Sequence, residues 1–97
     1  MHKFSPDELC SMVVIENQKG LHARAAAKFV RTAESFRSEI SVVMDSLRVS
    51  GRSIMGLMML AAVQGTRLKL CASGEDAEEA IAALSDLVRR KFDEDQA

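Results

Sequence analysis

Apolar residues change their spacing several times along the chain, and each change predicts an element. Residues 10–16 (CSMVVIE) form a short, partly β-branched apolar run. That composition predicts a strand, with Val13 and Ile15 on one face. Residues 17–20 follow as a loop closed by Gly20. From 23 to 35 the apolar positions Ala26, Phe29, Val30 and Ala33 recur at helical spacing and line up one stripe. Lys28, Arg31 and Glu34 fall largely on the other side, and the alanines favour helix because they lose almost no side-chain entropy. Residues 39–44 (EISVVM) return to alternation, with Ile40 and Val42 on one face, and predict a second strand. Asp45-Ser46 is turn chemistry, and 47–50 (LRVS) alternate again, so the two runs read as a hairpin.

Residues 53–60 (SIMGLMML) suit a short helix capped by Ser53, too short to stand without packing. Residues 63–66 read as a turn. Residues 67–72 (RLKLCA) alternate strictly, with Leu68 and Leu70 facing one way, and predict a strand. The clearest helix spans 76–91. Asp76 can cap it, and Glu79 completes an arrangement resembling a capping box. Its buried stripe is Ala77, Ala80, Ile81, Leu84 and Val88. Acids gather at its start and Arg89, Arg90 and Lys91 at its end, which suits the helix dipole. Residues 1–8, with Pro6, and 93–97 read as loose polar ends. The order β-α-β-β-α-β-α predicts an α+β two-layer sandwich, with one sheet face open to solvent.

Composition narrows the function. Ninety-seven residues leave room for one domain, 1–97, with its core over about 9–92. Thirteen Lys and Arg against fourteen Asp and Glu leave a charge of −1, which offers no basic face for nucleic acid. With no Trp, no Tyr and four Phe, a base-stacking platform is poorly supplied. No run approaches the roughly 18 apolar residues of a membrane helix. The opening MHKFSPDE has no apolar segment of a secretory signal. Cys10 and Cys71 are far apart, without a Cys-x-x-Cys pair, and read as reduced thiols packing in a cytoplasmic protein.

Chemistry is concentrated at Gly20-Leu21-His22-Ala23-Arg24, where His22 joins a glycine loop to a helix. Backbone N–H groups at a helix start attract anions. The positive dipole end also favours a neutral, nucleophilic imidazole. Such a ring can attack a phosphoryl group and carry it covalently, with the Arg24 fork against the phosphate oxygens. From spacing alone, His22 reads first as a surface residue or a cap. In Arg52-Ser53-Ile54-Met55-Gly56-Leu57-Met58-Met59-Leu60, one helix face can bury only some of the apolar side chains. The remainder predicts either an exposed docking patch or a helix buried all round. Ser53 needs no role beyond capping, although a phosphate there suits a helix start. His2 is the only other histidine, so no metal cluster is expected. No glycine-rich phosphate loop and no recognisable catalytic carboxylate pair point to a self-contained enzyme.

Gly20-Leu21-His22-Ala23-Arg24-Ala25-Ala26-Ala27 with Phe29-Val30 resembles the active-site signature of the HPr family, the histidine-containing phosphocarriers of the bacterial phosphoenolpyruvate-dependent phosphotransferase system. Arg52-Ser53-Ile54-Met55-Gly56-Leu57-Met58 resembles that family's regulatory serine segment. Gln64-Gly65-Thr66 and Gly74-Glu75-Asp76 also match, and the resemblance runs without gaps from about Cys10 to Arg90. It implies an open-faced β-sandwich: a four-stranded antiparallel sheet, order 1-4-2-3, covered on one face by three helices. It implies that His22 receives a phosphoryl group at Nδ1 from phosphorylated enzyme I and passes it to an EIIA protein or domain, with Arg24 steadying the phosphoryl oxygens. It implies phosphorylation of Ser53 by an HPr kinase/phosphorylase, and a docking patch of Ala23, Ala27, Ile54, Met55 and Met58. No cofactor is implied, and presenting one face to successive partners suits a monomer. The family usually has proline where this chain has Ala25, lysine where it has Arg52, and Asn-Gly where it has Asp45-Ser46. Ala25 is shared with diverged carriers, including the nitrogen-related branch. A nitrogen-branch or purely regulatory paralogue is therefore the alternative, and a small binding or scaffold domain that carries no phosphate is the remote one.

Overall fold

In the computed structural model, residues 8–94 are described, and of the polar ends expected at 1–8 and 93–97, residues 1–7 and 95–97 lie outside them. Strand β1 (Leu9–Val14) leads into helix α1 (Ala23–Ala33), then the hairpin β2 (Glu39–Met44) and β3 (Leu47–Ser50). Helix α2 (Ile54–Met59), strand β4 (Arg67–Ser73) and helix α3 (Ala77–Arg89) follow. The strands form one antiparallel sheet in the order β1-β4-β2-β3. This is the expected open-faced sandwich.

Register decides which residues build the core. Val13 pairs with Leu68 across β1 and β4, and Val42 pairs with Leu70 across β2 and β4. Paired residues share a face, so the alternation in each strand sums to one apolar surface. Leu68, Leu70, Ala72, Ile40 and Val42 are buried there. The helices cover this surface with Ala26, Phe29, Val30 and Ala33 from α1, Leu57 from α2, and Ala80, Leu84 and Val88 from α3. The stripe predicted for α1 is buried throughout. On α3, Ile81 is only half-buried, and Leu87 joins the core instead.

Three expectations need correcting. Asp76 precedes α3 but makes no side-chain cap. Its carboxylate accepts hydrogen bonds from Ser38 Oγ at 2.5 Å, Arg37 N–H at 2.9 Å and Ser38 N–H at 3.0 Å. Asp76 therefore ties the start of α3 to the turn before β2. The chain after α3 is not simply a loose tail, because residues 91–94 fold back, with Phe92 buried. Finally, Cys10 and Cys71 are not reduced thiols. They are direct cross-strand partners in β1 and β4 and form a disulfide. A separation of 61 residues says nothing against a pairing that sheet topology makes adjacent. The bond lies on the open sheet face, with Cys10 exposed and Cys71 buried.

Candidate functional site

His22 is the N-cap residue of α1, with extended backbone, and its carbonyl accepts from Ala26 N–H at 2.8 Å. The imidazole does not cap the helix. The backbone thus sets the helix start and leaves the ring available for other chemistry. The first-turn N–H groups of Ala23, Arg24 and Ala25 precede the first intrahelical bond and face the same end.

The loop before His22 is held tightly. Gly20 has φ +68°, and a Cβ there would come within 2.4 Å of the Ala62 carbonyl oxygen. Only glycine combines that backbone with that approach. Leu21 N–H donates to the same carbonyl at 2.9 Å, which pins the loop to the segment after α2. Asn17, fully buried, donates from Nδ2 to the Gly20 carbonyl at 2.8 Å.

The ring of His22 bonds through Nε2 to the carboxylate of Glu94, which also accepts from Asn17 Nδ2. Both side chains are largely withdrawn from solvent, at 23% and 15% exposure. Burial pushes the Glu94 carboxyl up, but hydrogen bonds from His22 and Asn17, with the charge of Lys19, hold it below its ordinary value of 4.5. Among the described residues, no side chain or backbone group bonds to Nδ1. Arg24 is exposed and makes no hydrogen bond or ion pair among the described residues, so its guanidinium is available to an incoming anion.

A family model described as the PTS HPr component phosphorylation site matches residues 10–90. The chain belongs to the HPr family. It is 51% identical over 82 residues to phosphocarrier protein HPr of Neisseria meningitidis serogroup A, covering 84% of this chain and 92% of the relative. It is 43% identical over 82 residues to phosphocarrier protein NPr of Shewanella violacea, covering 84% and 90% respectively. A crystal structure of HPr-C-His from Thermoanaerobacter tengcongensis superposes with a TM-score of 0.86 at 49% identity, covering 90% of this chain and 98% of that one. The chain is a phosphocarrier rather than a catalyst.

The segment that resembles the family's regulatory serine segment also takes clear form here. Ser53 is the N-cap of α2, and its Oγ accepts from Gly56 N–H at 2.9 Å. Arg52 turns away, donating from Nη2 to the Ala33 and Phe36 carbonyls at 3.1 and 2.5 Å. It therefore closes the end of α1. Of the apolar run, Leu57 and Leu60 are buried, while Ile54, Met55, Met58 and Met59 are exposed, Met55 by 72% and Met59 by 73%. The exposed-patch alternative is the one realised. Met59, absent from the expected patch, lies beside it in sequence. Ala23 is exposed and Ala27 half-buried on α1, which packs against α2. Among the described residues, no hydrogen bond or ion pair joins His22 to Arg24 or Ser53.

Glu94 and Asn17 were not anticipated. Asn17 had a readable signal, an amide three residues before a loop glycine. Glu94 had none, since it sits in a polar stretch that marks no element. Among the described residues, Glu8, Cys10 and Cys71 group as metal-type donors, but both sulfurs are in the disulfide. No helix among the described residues is long and apolar enough to cross a membrane.

Proposed function

We propose that His22 accepts a phosphoryl group at Nδ1 from phosphorylated enzyme I and passes it to a histidine on an EIIA protein or domain. The observation that carries this reading is the pairing of Nε2 with Glu94, which leaves Nδ1 as the reactive nitrogen at the start of α1. The Nδ1 lone pair attacks phosphorus, the Nδ1–P bond forms, and the bond from phosphorus to enzyme I breaks. The phosphoryl oxygens lie against the first-turn N–H groups and the Arg24 fork. These contacts are reversible, as a carrier requires.

Ile54, Met55 and Met58, with Ala23 and Ala27, form the docking patch for both partners. Adaptable methionines suit one surface that meets two proteins in turn. Ser53, beside that patch, is the site for an ATP-dependent HPr kinase/phosphorylase. A dianion there repels a phosphorylated partner and wets the apolar surface. The carrier acts as a monomer in the cytoplasm.

The deciding experiment incubates the chain with phosphoenolpyruvate and enzyme I and reads intact mass, beside His22→Ala and Ser53→Asp. One acid-labile phosphoryl group, absent from His22→Ala and acquired more slowly by Ser53→Asp, is expected. No transfer from the cognate enzyme I to a folded chain defeats the carrier reading, and an unchanged Ser53→Asp rate defeats the regulatory one. Ala25 and the likeness to the Shewanella NPr favour a second reading, in which the enzyme I is that of the nitrogen branch. Comparing both enzymes I on this chain separates the two.

A further inference from the structure

After α3 the backbone takes an unfavourable path. Lys91, Phe92 and Asp93 have φ of 59°, 57° and 57°. None is glycine, and left-handed backbone presses a Cβ against the carbonyl. Tertiary contacts hold the turn. The Phe92 ring is buried in the core, Lys28 Nζ donates to the Phe92 carbonyl at 2.9 Å, and Arg90 Nε donates to Asp93 Oδ1 at 2.9 Å. The result is to reverse the chain and lodge the next residue, Glu94, against His22. Asn17, 77 residues away in sequence, also meets it, reaching the Glu94 oxygens at 3.3 and 3.4 Å. His22 and Asn17, both before or at the start of α1, therefore converge on one carboxylate remote in sequence.

We propose that Glu94 is a positioning residue for phosphoryl transfer: its carboxylate, held by Asn17, accepts a hydrogen bond from Nε2–H of neutral His22 and so fixes the lone pair on Nδ1. The inference rests on the reading of His22 as the carrier. Neutral imidazole has one N–H, and the nitrogen that bears it cannot attack. An ionised carboxylate can only accept, so the nitrogen it meets must be the donor. When the Nδ1–P bond forms and the bond to the donor protein breaks, Nε2 keeps its proton and the ring becomes cationic. Glu94 then balances that charge from the ring edge opposite the phosphoryl group. The same charge helps the ring leave phosphorus in the onward step, so one carboxylate serves both directions.

The test uses the full chain, Glu94→Ala and Glu94→Gln. The ring tautomer is read from long-range ¹H–¹⁵N correlations of His22, and phosphorylation is timed with phosphorylated enzyme I. The native chain is expected to show the Nε2–H tautomer. Glu94→Ala is expected to lose that preference and to accept phosphoryl about tenfold more slowly, the scale of one charge-assisted hydrogen bond. Glu94→Gln keeps an acceptor but no charge, so it retains the tautomer with an intermediate rate. A structural role alone would move neither the tautomer nor the ranking of the two variants. An Nδ1–H tautomer in the native chain overturns the proposal, as do native tautomer and rate in Glu94→Ala. Should Glu94→Ala fail to fold, Glu94→Gln decides alone: a rate equal to native removes any role for the charge. If native His22 takes no phosphoryl group while the Nε2–H tautomer is present, the carrier reading has failed and the transfer role falls with it. The tautomer result separates that case from failure of the Glu94 contact itself.

Discussion

Breaking the Cys10–Cys71 bond perturbs the unfolded chain more than the folded one. The bond closes a loop across a separation of 61 residues. In the chain-entropy treatment, opening such a loop costs stability of about 4 kcal/mol at 25 °C, and native disulfides deliver roughly 2–4 kcal/mol. A chain of this length unfolds with an entropy of roughly 0.2 kcal/mol/K, so reduction should lower Tm by about 10–20 °C. The folded state should lose little, because each partner is already held by the β1–β4 ladder. Cys10 is exposed, which gives a reductant access. The comparison is of thermal and urea unfolding for the oxidised chain, the reduced and alkylated chain, and Cys10→Ala/Cys71→Ala. Alanine is preferred to serine because Cys71 is buried and an added hydroxyl there would need a partner. A thiol titration should find no reactive thiol in the oxidised protein. Equal midpoints for the three forms, or two titratable thiols without reductant, would refute the reasoning. Phosphoryl transfer to His22 should survive reduction, since Cys10 lies near the start of β1 and the His22 loop leaves its far end.

The hydrogen bond from Ser38 Oγ, then that from Arg37 N–H, lowers the Asp76 carboxyl below its ordinary value of 3.8, against the opposing effect of burial. A carboxyl lowered by folding stabilises above its unfolded value, and that contribution disappears as pH falls through the folded one. Unfolding followed between about pH 5 and 2 should show the native chain losing stability more steeply than Asp76→Asn, and parallel curves would remove Asp76 from the acid response. Met55 is 72% exposed, so Met55→Lys should leave stability within about 0.5 kcal/mol while raising KM for enzyme I roughly tenfold. An unchanged KM would exclude Met55 from the docking surface.

The fold was legible where one local rule decided the outcome. Period-two alternation placed β2 and β3 at their observed bounds. The i, i+3, i+4 stripe of α1 is buried because no competing face on that helix is apolar. Ser53 caps α2 as its chemistry suggests, for the reason that its hydroxyl meets an N–H three residues on, wholly within one turn. Asp76 had the same local option and took a longer-range one, since three donors around Ser38 outcompete a single helix N–H. The disulfide and Glu94 failed to appear for a related reason: both depend on which strands or turns end up adjacent, and no periodicity encodes that. Phosphocarrier chemistry was legible through the family resemblance of the contiguous Gly20–Ala27 segment together with Arg52–Met58, whereas spacing alone reads His22 as a surface residue or a cap. The Glu94 contact to the ring was not, because it is made across a separation of 72 residues.

The distribution of these features over the molecule has a consequence for how a small carrier can change. The exposed apolar patch of α2 and the His22 loop belong to the helical layer, while the disulfide sits on the open face of the sheet. Between them lies a core in which Leu68, Leu70 and Val42 are each at most 2% exposed. A close-packed core of this kind resists sub-ångström shifts. The staple can therefore be added or removed with an effect on global unfolding but little on the shape that partners meet. Glu94 is placed differently: its turn packs directly on α1 through Lys28 and Phe92, so any change there reaches the ring of His22 without passing through the sheet. Substitutions at Phe92 should therefore alter transfer as well as stability, whereas loss of the disulfide should alter stability alone.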